Sequence, residues 1–388
     1  MSTFNYNYNY IIIGAGAAGL NLALAMNEDV FFKDKKILIL DKDKKTENDR
    51  TWCFWEKGNG KWDHIVSKTW KKSIVTAKGE DINFDLKKYT YKMLRSADFY
   101  QFAKTKLDTS TIEWKTEDVQ KVVQNQDKAV VTTPENDYMA DFVFDSRIPS
   151  LYTLDHSDSL SIAQHFKGWI IETEEEVFDD TKFTMMDYSI KDGETTSFTY
   201  VLPMSPTKAL VEFTYFSPDV VSEATYDHYL KRYISEKLHQ QNYKILETEK
   251  GVIPMTNFPF EDFNQKHIIK IGTAGGWVKA SSGYSFKNCE KKSKKIIKFL
   301  KTNPDYYHNS SSPKFKHYDK IFLEVLSKEN HFGEELFHRM YKNNSIRTIF
   351  RFLDERSVFS EDLKIILNLS SLPFINAFLR HVKSGLKT

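Results

Sequence analysis

The sequence predicts an α/β fold in which a Rossmann-like unit is split by a β-rich insertion and closed by a helical cap. Three observations predict it. A strand, a glycine turn and a helix follow one another in "YIIIGAGAAGLNLALAMN" (10–27). A second glycine-rich loop, "IGTAGGWVKASSGYSF", lies far along the chain at 271–286. Between the two run segments rich in β-branched and aromatic residues, and the last quarter of the chain turns to helical periods of Phe, Leu and Ile.

The elements follow in order. Residues 9–13 predict a strand and 17–27 a helix with Ala17, Leu20 and Leu24 on one face. "KKILILDKD" (35–43) is a second short strand that ends at Asp41. Residues 42–60 predict a polar and aromatic loop, 88–107 a helix, and 112–144 three strands ending in "DFVFDSR". The stretch 166–216 is β-rich, with "KDGETT" (191–196) as a hairpin turn. In "FTYVLPMSPTKALVEFTYFS" (198–217) two strands flank the turn "SPTK". Alternation there sets Glu212 on one face with Leu210, Thr214 and Phe216, and Val211, Phe213 and Tyr215 on the other. Neither face is polar, so a carboxylate at 212 must be paired, hydrogen-bonded or kept protonated. Residues 222–242 predict a helix, 287–301 a basic helix, and 315–388 a helical tail. The resulting division is a nucleotide-binding domain at 1–165 completed by 262–302, a β-rich substrate domain at 166–261, and a helical C-terminal region at 303–388.

Bulk composition narrows the function classes. The 388 residues suit two intertwined lobes. A net charge of +2 without a basic recognition module gives no case for nucleic-acid binding. Cys53 and Cys289 stand far apart, and the His residues form no pair at metal-ligand spacing, so neither a disulfide framework nor a metal centre is expected. A reduced, cytoplasmic setting follows. The N-terminal apolar run lacks a basic flank and a cleavage site, and no stretch is long and apolar enough to span a bilayer. Contact with a membrane would be peripheral, on its inner face.

"GAGAAG" (14–19) matches G-x-G-x-x-G between strand and helix, with Asp41 ending the next strand about 20 residues on. Gly14 permits the tight turn, Gly16 lets a pyrophosphate approach the backbone, and Gly19 allows close helix–strand packing. Ala17 and Ala18 open the helix whose free N–H groups and positive dipole end face the phosphates. Asp41, with Lys42 beside it, accepts hydrogen bonds from the ribose hydroxyls. A nucleotide-binding unit at the extreme N-terminus, split by a β-rich insertion and resumed at a late glycine loop, resembles the glutathione-reductase-type flavoproteins. That layout implies FAD, with Gly272, Thr273, Gly283 and Tyr284 on the ribitol and isoalloxazine side. Thr273 stands where those proteins carry Asp.

Further motifs resemble the bacterial lycopene β-cyclases. "DRTWCFWE" (49–56) is similar to their N-x-T-W-x-F-H segment, with Thr51, Trp52 and Phe54 in register and Trp55 in place of His. "FTMMDYSI" is similar to their M-D-x segment. "YVLPMSPTKALVEFTYFS" is similar to L-P-x-S-P-T-R-x-L-x-E-D-T-Y, with Lys208 for Arg and Phe213 for the second acid. "GGWVKASSGYSF" is similar to A-G-x-x-H-P-x-T-G-Y-S, with Lys279 for His. The resemblance runs through almost the whole chain in order. It implies cyclisation of the linear ψ-ends of lycopene and other linear carotenoids to β-ionone rings, without net redox change. Reduced FAD is implied as cofactor, with NADPH or NADH as electron donor and a membrane surface as the source of substrate. On the residues here, Glu212 is the candidate catalytic residue, either the proton donor or the proton-handling partner of the flavin, because protonating an unactivated alkene needs a neutral carboxyl in a dry pocket. Asp187 either assists it or caps a strand. Arg50, Thr51 and Trp52 either line the flavin or form an ordinary aromatic loop. The basic helix 287–301 either faces water or meets anionic headgroups, and "LSSLPFINAFLRHV" (369–382) is a second candidate for the interface. The rival of similar fold is a flavoprotein oxidoreductase, a hydroxylase or prenyl reductase, acting on an isoprenoid or aromatic substrate.

Overall fold

The computed structural model describes residues 6–125, 127–152, 159–302, 307 and 312–369. Its first sheet has five parallel strands, in the order Ile112–Thr116, Ile37–Asp41, Tyr6–Ile13, Asp137–Asp145 and Ile268–Lys270. Antiparallel Lys128–Thr132 and Lys121–Asn125 extend it along the lower half of Asp137–Asp145. Strands buried on both faces read as unbroken apolar runs, and "YIII" and "ILIL" are such runs. Tyr10 and Ile12 pack with helix Ala17–Asn27 and helix Phe286–Thr302, through Leu20, Leu24, Ile296 and Leu300. Ile11 and Ile13 join the opposite cluster with Val131 and Tyr138.

The second sheet also has seven strands. Their order is Tyr243–Thr256, Ser161–Thr173, Lys208–Ser217, Ser197–Ser205, Lys182–Asp187, Lys72–Ala77 and Glu80–Asp85. One face, carrying Val211, Phe213 and Tyr215, is covered by helix Glu223–Glu236 through Tyr226, Leu230, Tyr233 and Ile234. The other face, carrying Leu210 and Phe216, is covered by the helices Pro313–Lys328, Gly333–Asn343, Ile346–Leu353 and Phe359–Leu369. Alternation along "ALVEFTYF" therefore separates two cores, as the sequence predicts.

Several elements depart from expectation. Residues 88–107 were expected as one helix; they form strand Tyr89–Arg95 followed by helix Ser96–Lys106. All seven residues of that strand are buried: Tyr89, Tyr91 and Met93 join one core, and Lys92 on the other face is held by Glu56 and Asp63, so the short alternation runs on into the helical period of Ser96–Lys106. The expected loop 42–60 contains Thr51–Lys57 itself. Strands 72–77 and 80–85, expected with the first unit, belong to the second sheet, and strand Ser161–Thr173 starts five residues before the expected boundary at 166. The helix expected at 222–242 ends at Glu236, and the edge strand Tyr243–Thr256 follows it. In the C-terminal region, residues from 370 onward lie outside the described residues, including nearly all of the 369–382 segment.

Candidate active site

Between the second sheet and the four C-terminal helices lies a cavity of about 340 Å³. Leu210, Glu212, Thr214 and Phe216, one face of a single strand, all line it. So do Thr51, Trp52 and the late glycine loop from Ser281 to Phe286, which puts one wall of the cavity on the nucleotide-binding unit. Phe322, Phe337, Met340 and Ile365 close it from the helical side. Most of the lining is apolar, as an oily substrate requires.

Glu212 is 7% exposed. Gly168, on the neighbouring strand, is paired with Glu212 on one side and with Glu249 on the other. Tyr200 faces Glu212 from the strand beyond. Gly168 is what lets this row close up: a Cβ there would sit 2.9 Å from Leu210 Cδ1 and 3.2 Å from Glu212 Cβ. The Glu212 and Glu249 carboxyls line the same cavity on either side of Gly168, and the Glu249 carboxyl acts electrostatically on Glu212 across that gap. Thr214 Oγ1 donates to Glu212 Oε1 at 2.8 Å, and Thr51 Oγ1 donates to Glu249 Oε2 at 2.6 Å. Burial pushes both carboxyls above the usual carboxylate range, and for Glu212 the Glu249 charge adds to it. Arg95 and Arg50 pull Glu249 the other way. Two carboxyls this close in a dry site do not both ionise near neutral pH, so the pair holds at least one proton.

Tyrosines continue the row. Tyr91 Oη lies 2.8 Å from Tyr200 Oη and 3.2 Å from Tyr284 Oη, and burial raises all three phenols, so they stay neutral. Trp52 stacks on Phe286 at 5.3 Å, and Trp55 stacks on Phe350 at 4.4 Å. The flat, electron-rich rings and neutral hydroxyls around the carboxyls offer no strong nucleophile.

The residues expected to hold a nucleotide begin at the carboxyl ends of the parallel strands, and of them Thr51, Trp52, Gly283 and Tyr284 line this cavity. Gly14 has φ +97°, and a Cβ there would fall 2.0 Å from Ser146 Oγ; Gly19 packs against the Gly14 carbonyl. Gly16 faces open space, which leaves the backbone free for a phosphate. Asp41 Oδ2 accepts the Ala15 N–H at 2.6 Å, so it fixes the glycine turn at the same time as it ends its strand. Gly272 (φ +61°) brings the late loop against Ala18, with Thr273 on the same turn. Gly283 (φ +71°) abuts Gln164, and the buried Gln164 Oε1 and Ser282 Oγ have no hydrogen-bond partner among the described residues. Open glycine backbone and orphaned polar atoms on one wall fit a polar cofactor. Lys42 and Arg50 are exposed at the rim of this unit.

Asp187 lies elsewhere. Its carboxylate accepts from Ser189 N and from Tyr233 Oη, each at 2.8 Å, on the face covered by helix Glu223–Glu236. It is the strand cap, not a neighbour of Glu212. Phe213 points to that same face and stacks on Tyr229 at 4.8 Å. The second acid at the cavity is Glu249, which the sequence motifs did not single out. Its signal was the buried-side alternation of Glu249, Gly251 and Ile253 in "ETEKGVIPM", opposite a glycine inside "HFKGWII". Lys279 is 4% exposed and forms ion pairs with Asp319 at 2.8 Å and Glu355 at 3.0 Å, tying the late loop to the helical cap. In helix Phe286–Thr302, Lys287, Lys294 and Lys301 pair with Glu56, Glu290 and Asp29 of the protein itself. Among the described residues no cluster of metal-ligating side chains occurs, and no helix is long and apolar enough to cross a membrane.

A Rossmann-like sheet joined to a second, β-rich sheet and closed by helices is a fold shared with solved flavoproteins. Solved structures bear this out at the level of fold. A geranylgeranyl bacteriochlorophyll reductase-like protein from Thermoplasma acidophilum superposes with TM-score 0.61 at 11% identity, over 93% of this chain and 96% of that one. A flavoprotein/dehydrogenase from Cytophaga hutchinsonii gives 0.60 at 12% identity, over 97% and 100%. A variant of the halogenase PltM in complex with FAD gives 0.56 at 12% identity, over 89% and 79%. No curated protein matches the sequence. The lycopene cyclase protein family matches residues 9–379, and the chain belongs to that family.

Proposed function

We propose that the protein is a flavin-dependent lycopene β-cyclase that closes ψ-ends of linear carotenoids to β-ionone rings with no net redox change. The observation that carries this reading is a buried carboxyl on an apolar cavity wall next to the late glycine loop, where burial raises it above the usual carboxylate range. Glu212 supplies the proton to the terminal trisubstituted alkene. The cavity excludes water that would quench the tertiary cation, and the rings of Tyr200, Phe216 and Trp52 stabilise positive charge by ~0.5–2 kcal/mol each. The neighbouring double bond closes the ring, and loss of a ring proton sets the β double bond. FAD would be held by Gly14, Gly16, Ala17, Ala18, Gly19 and Asp41 at its adenosine diphosphate half. Gly272, Thr273, Gly283, Thr51 and Trp52 would hold its flavin half. When bound and reduced by NADPH or NADH, it supplies negative charge beside the developing cation.

The reaction is tested by expressing the protein in a lycopene-accumulating bacterium and separating the pigments by chromatography. Cyclic carotenoids are expected; unchanged lycopene would overturn the reading. The prenyl reductase alternative is favoured by the name of the Thermoplasma structure, and stoichiometric nicotinamide consumption would support it over cyclisation.

Substrate enters from a membrane surface in this reading. Phe359 (73% exposed), Leu363 (44%) and Val358 (53%) present apolar surface on and just before the helix whose Ile365 and Leu369 line the cavity. Sedimentation with liposomes tests this: wild type is expected to co-sediment and Phe359→Glu to do so less, whereas no binding by wild type would exclude it.

A further inference from the structure

We propose that Glu249 is the second working carboxyl of the site: Glu212 and Glu249 carry one proton between them, Glu212 giving it to the alkene and Glu249 receiving the proton lost from the ring. The inference rests on the cyclase reading above and deepens it.

The motifs point to the strand that carries Glu212, where position 213 is Phe with its ring buried on the far face, and to Asp187, whose carboxylate also lies on that far face. Geometry supplies an acid from another strand instead. Glu249 reaches the cavity across Gly168, at the register position that mirrors Glu212. Each carboxyl is held by its own hydroxyl, Thr214 for Glu212 and Thr51 for Glu249, so the two are separately oriented on one cavity wall. Their surroundings differ in sign. Arg95 and Arg50 act on Glu249, offset in part by Glu247, whereas Glu212 has no cation among its partners and faces Tyr200, with Cys53 and Tyr284 nearby. The proton therefore rests on Glu212 and the negative charge on Glu249. That is the division of labour an isomerisation requires, an acid and a base in one dry pocket.

The cycle balances. The Glu212 O–H bond breaks as a C–H bond forms at the alkene terminus, leaving a tertiary cation and two carboxylates. The neighbouring alkene forms the ring C–C bond. A C–H bond beside the ring cation then breaks, its electron pair becoming the ring double bond and its proton going to Glu249. Return of that proton from Glu249 to Glu212 within the pocket restores the starting state. One proton leaves the pair and one returns, no electron is lost or gained, and the net charge of the site stays at minus one throughout.

The test compares wild type, Glu212→Gln and Glu249→Gln, each loaded with flavin, on lycopene in liposomes, together with the buried-carboxyl infrared band of each protein as a function of pH. Glu249→Gln is expected to keep its flavin and lose about 10²-fold or more in ring formation. Its Glu212 band should ionise at lower pH than in wild type, since the neighbouring charge that opposes ionisation is gone. Wild-type rate with an unmoved band would overturn the proposal. A fall in rate with an unmoved band would reduce Glu249 to a structural group, and would overturn it equally. Should Glu249→Gln lose its flavin, Glu249→Asp decides: partial activity with the wild-type order of ionisation supports the pair, full activity refutes it. Absence of ring formation by wild type would instead sink the cyclase reading on which this rests.

Discussion

Replacing Gly168 by Ala isolates the geometry of the acid pair from the stability of the sheet. The new Cβ would stand 2.9 Å from Leu210 Cδ1, the movable end of a side chain, and 3.2 Å from Glu212 Cβ, which is anchored to its strand. Overpacking of this kind costs roughly 1–3 kcal/mol. Glycine inside a strand is itself about 0.5–1 kcal/mol worse than alanine, so the net loss is at most about 2.5 kcal/mol. The melting temperature should fall by no more than several degrees. Activity has no such offset. Relieving the contact moves Glu212 by a few tenths of an ångström at Cβ and by more at the carboxyl, and a misplacement of about 1 Å can cost on the order of 10²-fold in rate. Differential scanning calorimetry beside a pigment assay with lycopene should therefore give a near-normal melt and a tenfold or greater loss of ring formation. A full rate would refute the dependence of the chemistry on the gap at Gly168.

Other consequences follow from the same interactions. Because burial raises the Glu212 carboxyl above its unfolded value, its contribution to stability is complete below the ordinary carboxylate range and is lost as pH rises through the raised value. Stability and ring formation should both decline on that alkaline side, and Glu212→Gln should remove this part of the stability profile in pH-dependent urea melts. Asp187→Asn should cost about 1–3 kcal/mol through its bonds to Ser189 and Tyr233 while leaving the rate per folded molecule unchanged. Lys279→Met leaves Asp319 buried beside Glu355 without its cation, a loss of about 3–5 kcal/mol. Protonation relieves that loss, since burial already raises Asp319, so the deficit should shrink in denaturant melts run at mildly acidic pH.

The parts of the fold written in local chemistry were legible. Gly14 and Gly19 stand where a Cβ would clash, Gly16 leaves the turn open, and Asp41 ends its strand where the spacing puts it. The alternation of Leu210, Glu212, Thr214 and Phe216 against Val211, Phe213 and Tyr215 survives intact because each face meets a separate core. Tyr89–Arg95 was read as helix, since its short alternation runs without a break into the apolar period of Ser96–Lys106. Glu249 escaped for a different reason. It belongs to an edge strand that looks polar along its length, and its partnership with Glu212 exists only through register across Gly168, a relation spanning 81 residues for one pair and 44 for the other. Asp187 shows the converse: a suggestive motif whose side chain, after a register shift in its strand, turns to the far face.

The central claim is that a buried, un-ionised Glu212 starts the chemistry. The direct measurement is single-turnover ring formation by purified, flavin-loaded Glu212→Gln on lycopene in liposomes, with flavin content and thermal melt recorded on the same preparation. A protein that binds flavin and melts like wild type but forms no cyclic carotenoid is the predicted result. Rings formed at the wild-type rate would contradict the account.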